Sequence, residues 1–244
     1  MIAQVRAELL KVRSTRTTLG LLLGMVALIL LFSLLTALLS HANAISSTED
    51  QRQLLSIGDL SGLFSALAGV LLVTSEYRYG TIRPTFLFTP RRPQVLAAKL
   101  AAGLLAGVVF GVIGEGLGFL LGYVILDARG ISFSLGGGDV ALLLLGTFAG
   151  TALWGAMGVG LGAILRNQVG AVITLLAWGF IVDNLLFGLV PSVGRLTPTR
   201  AQDGLIGLTT EHLLSPTAAG LVLVAWVVVL AVIGLPLVTR RDVT

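Results

Sequence analysis

Residues 19–39 read LGLLLGMVALILLFSLLTALL, without a single charge. At 1.5 Å per helical residue, about 20 such residues cross roughly 30 Å of hydrocarbon. Lipid offers no water to satisfy backbone N–H and C=O groups, so a run of this length is helical. Five further apolar runs follow, at 57–75, 100–126, 140–165, 169–190 and 217–238. The sequence therefore predicts an all-α, polytopic membrane protein with six transmembrane helices, forming a single transmembrane domain over 1–244.

Composition points the same way. The 244 residues are 55% hydrophobic and only 11% charged, against about 25% charged in soluble domains. Too few polar residues exist to cover a core of this size. That excludes a soluble enzyme, a disordered chain and a nucleic-acid-binding domain. Cysteine is absent and histidine occurs twice, at His41 and His212. Disulfides, thiol nucleophiles and thiolate metal sites are thereby excluded. Glycine occurs 31 times, as suits helices that pack closely in lipid.

The basic residues alternate with the spans. Twelve of the sixteen lie at the N-terminus, in the 76–99 and 166 gaps, and at the C-terminus. The other gaps hold Arg52, Arg129, Arg195 and Arg200, together with Glu49, Asp50, Asp59, Asp127, Asp139, Asp203 and Glu211. By the positive-inside rule both termini are cytoplasmic. Ala42-Asn43-Ala44 looks like a signal-peptidase site, but the preceding run is longer than the 7–15 residues of a signal peptide, so it reads as a retained span.

Ile2, Val5, Leu9 and Val12 recur at helical spacing, with Arg6, Glu8, Lys11 and Arg13 elsewhere. Residues 1–16 thus read as an amphipathic helix in the inner interface, or else as a charged flank that fixes topology. The outer segment 191–216 carries Pro191, Pro198 and Pro216 and a helix-like stretch around Gln202–Leu214. It is too polar to span, and suits a re-entrant or surface helix.

The large inner loop, 76–99, reads EYRYGTIRPTFLFTPRRPQVLAAK. Gly80 and Thr81 suit the end of one helix and the cap of the next. Residues 82–88 then form a short helix stopped by Pro90, and Pro93 begins the helix entering the third span. This is a helix–turn–helix elbow, or a basic loop that fixes topology and touches anionic lipid. Glu76, at the junction, has Arg78, Arg83 or a partner protein as candidate counter-charges.

Glu115 lies mid-span and Asp183, beside Asn184, in the outer half of the fifth span. Ionisable residues at such depth cost about 2.5–3.5 kcal/mol on insertion scales, so they face a partner or a path. Each reads as a substrate-path or proton-relay acid, or as one end of an interhelical hydrogen bond. Glycines four apart (Gly103, Gly107, Gly111; Gly114, Gly118, Gly122; Gly146, Gly150; Gly158, Gly162) make flat stripes for close helix packing. Trp154, Trp178 and Trp226 lie within spans, and Trp178 is a candidate cavity wall. No GxxxxGK[ST], no GxSxG and no paired intramembrane aspartates at protease spacing occur, so the chain is not read as an enzyme or an ATPase.

Glu76, then Gly80-Thr81, then Pro90-Arg91-Arg92, then Lys99 leading into a span, resembles the first cytoplasmic loop of type-2 ABC transporter permeases, the membrane subunits of ABC exporters with the type V fold. Chain length, six spans, the N-terminal helix and a long outer segment before the last span extend the resemblance. It implies a coupling helix between spans 2 and 3 that docks on an ATP-binding subunit, with Glu76, Gly80, Thr81, Arg83, Pro90, Arg91 and Arg92 as the coupling region. It also implies that ATP and Mg²⁺ belong to that partner, and that this chain itself carries no cofactor or metal. A second permease copy or homologue completes the assembly, in the lipids of a bacterial cytoplasmic membrane. The expected activity is export of a hydrophobic or amphipathic drug, peptide or lipid, with Asp183, Asn184 and Trp178 as candidate path residues and Glu115 a buried acid of open role. The alternatives are a secondary transporter or channel using Glu115 and Asp183, or a non-transporting scaffold.

Overall fold

The computed structural model describes residues 1–40, 45–88 and 91–240. Among the described residues every regular element is helical. Helix α1 (Ile2–Ser14) passes through extended Thr15 into α2 (Arg16–Leu39). Helix α3 (Thr48–Leu55), a 3₁₀ segment (Ser56–Leu60) and α4 (Ser61–Arg78) form the second long unit. Helix α5 (Ile82–Phe88) precedes α6 (Arg92–Ala128) and α7 (Gly137–Leu165). Helix α8 (Gln168–Ala177) runs through a π-helical turn (Trp178–Val182) into α9 (Asp183–Leu189). Two short helices, α10 (Pro191–Gly194) and α11 (Pro198–Leu205), lead to α12 (Pro216–Arg240). Six of these units are long and apolar enough to cross a membrane, which makes this a multi-pass helical membrane protein.

Several boundaries differ from the hydropathy reading, each for a local reason. The second unit starts at Thr48 rather than 57, because Ser47 and Asp50 form a reciprocal capping box. Helix α6 starts at Arg92, with Pro93 in its first turn as the sequence predicts, so the helix reaches beyond the apolar run that begins at 100. In the 191–216 segment the helix lies at Pro198–Leu205, not around Gln202–Leu214. Pro198 fits the first turn, and Gly207 at φ +77° turns the chain away soon after the last helical residue.

Helices α4, α6 and α7 form the centre, and glycine lets them approach. A Cβ on Gly69 of α4 would collide with the carbonyl of Gly155 of α7, and one on Gly155 with that of Gly103 of α6. A Cβ on Gly158 would meet the carbonyl of Ala66. Predicted stripe glycines such as Gly103, Gly107 and Gly158 thus sit at close contacts with a neighbouring backbone, while Gly111 and Gly150 make room for the side chains of Thr151 and Gln202; dispersion rather than water exclusion drives such helix association. Around this centre Met25 and Ile29 of α2 pack on Phe64 and Phe110. Ala171 and Leu175 of α8 and Leu223 of α12 pack on Val70, Trp154 and Met157. The outer faces of α2, α8–α9 and α12 leave large apolar side chains exposed, as lipid-facing helices do.

Cations close helix ends. Arg129 donates to the carbonyls of Ala37 and Ser40 at the end of α2, and Arg92 to those of Val238 and Thr239 at the end of α12. Both placements favour the negative ends of helix dipoles.

Candidate functional site

The elbow of residues 76–92 has a helical geometry set by its turn residues. Gly80 takes φ +70°, a left-handed conformation that ends α4, and Thr81 leads into α5. Tyr79, Thr81, Arg83 and Leu87 are exposed; Leu87 reaches 82%. Arg91 is the exposed residue preceding α6, and Arg92 is the one that closes α12. Pro90 lies outside the described residues.

Glu76 does not pair with Arg78 or Arg83. Its Oε1 accepts from Lys11 Nζ at 2.6 Å and lies 2.9 Å from Lys99 Nζ. Glu8 of α1 completes the group, with Oε1 2.9 Å from Lys11 and Oε2 2.9 Å from Lys99. Lys99 also donates to the Leu72 carbonyl. The two lysines are the only ones in the chain. The result is a neutral square of two carboxylates and two ammonium groups joining α1, α4 and α6 at the base of the elbow. Glu8, Glu76 and Lys99 are buried, while Lys11 keeps 43% of its side chain exposed. Burial alone pulls the Lys11 ammonium pKa down, but the bonds and charges of Glu76 and then Glu8 outweigh it and hold the group above its ordinary 10.5. Arg78 instead donates to Gln168 of α8.

The opposite end is closed by the 191–216 segment. Arg52, expected in a solvent loop, is buried and donates to Asp139 and to the Gly207 carbonyl. Glu49 accepts from the Thr209 amide at 3.1 Å. Asp183 is fully buried, and its Oδ2 accepts from the Thr199 amide at 3.2 Å in the first turn of α11. Asn184 is exposed; it donates to the Phe180 carbonyl and accepts from Arg200 at 2.7 Å. Trp178 lies edge-on to Trp226, with ring centroids 5.7 Å apart. The three path candidates of the fifth span are thus engaged with the 191–216 segment and α12. Burial pushes the Asp203 carboxyl above its ordinary range, against the opposing pull of Arg200.

Glu115 is fully buried in α6, packed against the backbone of Gly58. Neither carboxylate oxygen is hydrogen-bonded among the described residues. The interhelical hydrogen bond expected of a purely structural role is therefore not made there. Asp59, grouped by sequence with the external acids, lies in the 3₁₀ segment within electrostatic reach of Glu115. Its Oδ1 accepts from Gln202 Nε2 at 2.6 Å. A cavity of about 170 Å³ opens beside it. No group of three or more potential metal-ligating side chains occurs among the described residues.

Three sets of residues escaped the sequence reading: Glu8 with Lys11 and Lys99, Arg52 with Asp139, and Asp59 with Gln202. No local signal marks them: apart from Glu8 and Lys11, three residues apart on one helix, the partners lie 87 to 143 residues away. A scan of protein-family models finds no match to the chain, and a search of curated proteins finds none either.

Proposed function

We propose that the chain is the membrane permease subunit of an ATP-driven ABC exporter, working with a second permease copy or homologue and with separate ATP-binding subunits. One observation carries the reading. A short helix, α5, with Arg83 and Leu87 exposed, stands between α4 and α6, and these two helices are tied together at its base by the Glu76–Lys99 pair. Such an arrangement suits a docking lever: a force applied at Leu87 or Arg83 passes into two central spans through a rigid junction. The basic end then faces the cytoplasm of a bacterial cell, where ATP is available. The expected cargo is hydrophobic or amphipathic.

The test is twofold. An ATP-binding subunit should co-purify with the tagged chain, and inside-out vesicles holding both should move substrate only with ATP. Leu87→Asp should abolish co-purification while leaving the thermal melt unchanged, because Leu87 touches little of its own chain. Glu76→Ala is the poorer probe, since Glu76 is structural here. Retained co-purification in Leu87→Asp, or transport driven by a proton gradient without ATP, overturns the proposal. The second outcome would favour a secondary transporter built on Glu115, whose unpartnered carboxyl supports that alternative.

A further inference from the structure

We infer that the cavity beside Asp59 binds the ammonium group of a small amphipathic amine. The cavity lies where α4, α7, the π-helical turn and α11 meet, and Phe180, which lines it and is well exposed, marks its open side. Its walls are leucines of α4 and α8 with the rings of Trp154 and Phe180, and polar atoms come from few residues: Asp59, Thr199 and Gln202. That is the usual make-up of a ligand pocket, an apolar body with a small number of placed polar groups.

Among the polar groups of the lining residues, the Asp59 carboxylate is an acceptor without a cation, while Trp154 Nε1 is a buried donor without a partner among the described residues. Asp59 receives one bond, from the neutral amide of Gln202. That bond fixes the amide, and Gln202 Oε1 is left buried and unbonded among the described residues. No Lys or Arg forms an ion pair with Asp59 or Glu115 among the described residues. Arg200 is engaged by Asp203 and Asn184, and Arg52 by Asp139 and Gly207. Asp203 and Glu115 lie within electrostatic reach of Asp59, so its ionisable neighbours are acids and a base already paired. An ammonium offers N–H donors to the Asp59 carboxylate, and the rings of Trp154 and Phe180 add cation–π attraction. A bare inorganic cation would need more oxygen ligands than these walls provide. The volume is a little larger than the roughly 150 Å³ that takes up benzene, so a phenyl ring with a short aminoalkyl tail fits.

A π-turn is a common mark of a functional position in a helix, and here it brings Gly179 and Phe180 to the cavity. That such an amine is also cargo rests on the exporter reading; that it binds does not.

The test uses the purified full chain in lipid nanodiscs, without ATP or partner. Calorimetry compares 2-phenylethylammonium with its neutral isostere 2-phenylethanol. The ammonium should bind roughly ten-fold more tightly or better, the worth of one charge-assisted hydrogen bond. Asp59→Asn should erase that preference and keep the weaker affinity for the alcohol. Gly179→Leu, whose Cβ enters open space, should remove both ligands with the melt unchanged. Equal affinities in the wild type, or a preference surviving in Asp59→Asn, overturn the inference. Should Asp59→Asn fail to fold, retention of ammonium binding by Gly179→Leu overturns it and loss supports it. Amine binding by a chain that fails the co-purification and vesicle tests would overturn the exporter reading alone.

Discussion

Lys99 Nζ lies 2.9 Å from Glu8 Oε2, a contact between residues 91 positions apart that clamps the N-terminal helix onto the third span. A buried ion pair is weak support for net stability, but removing one partner strands the other. Lys99→Met leaves two buried carboxylates facing Lys11 alone, and should cost about 3 kcal/mol. Adding Glu8→Gln restores charge balance, so the double variant should be more stable than Lys99→Met. Denaturation in mixed micelles measures both, and additive effects would mean that the two residues are not coupled.

Alkaline pH should loosen the same junction. Unfolded, Lys11 titrates near 10.5; docked, it titrates higher. Its contribution is therefore complete below 10.5 and is lost as pH rises through the folded value. The melting-temperature gap between wild type and Lys11→Gln should persist to about pH 10 and close above it. A gap that closes between pH 6 and 8 would contradict the assignment.

Helix α1 shows where sequence reading succeeds and fails. Its helical period was legible from Ile2, Val5, Leu9 and Val12. Its docking was not, because Glu8 sits among charged neighbours and looks solvated. Glu76 was assigned local counter-charges for the same reason: a linear reading sees Arg78 and Arg83, whereas the fold brings Lys11 and Lys99. Spans were legible because twenty apolar residues in lipid have few alternatives. Their polar first turns, such as Thr48–Leu55, were not, since a capping box adds helix where hydropathy is low. Asp59 and Arg52 were read as loop charges because they fall in that same polar lead-in.

The glycine contacts make a sharp contrast within one helix class. Gly155→Leu forces a side chain into the Gly103 carbonyl and Ser65, and should abolish a monodisperse folded peak in size-exclusion chromatography. Gly116→Leu, in α6 but off the stripe of Gly114 and Gly118 and with open space at its Cβ, should elute as wild type. Similar behaviour of the two would refute close packing as the reason for the stripes.

Arg52 ties the 191–216 segment down through Gly207 and Asp139. Arg52→Gln should raise amide exchange across residues 206–210, by roughly 1–3 kcal/mol of lost protection. Exchange elsewhere, in α4 or α7, should stay as in the wild type. Unchanged exchange at 206–210 would show that Glu49 and Gln202 hold the segment alone.

Having only two lysines gives the molecule an internal gauge. Amine-acylating reagents should modify Lys11 slowly, because its ammonium is held charged, and Lys99 hardly at all, with 3% of its side chain accessible. Whenever α1 lifts from the bundle, Lys99 becomes reactive. The ratio of the two acylated peptides, read by mass spectrometry from intact membranes, then reports how often the junction opens, with no engineered label.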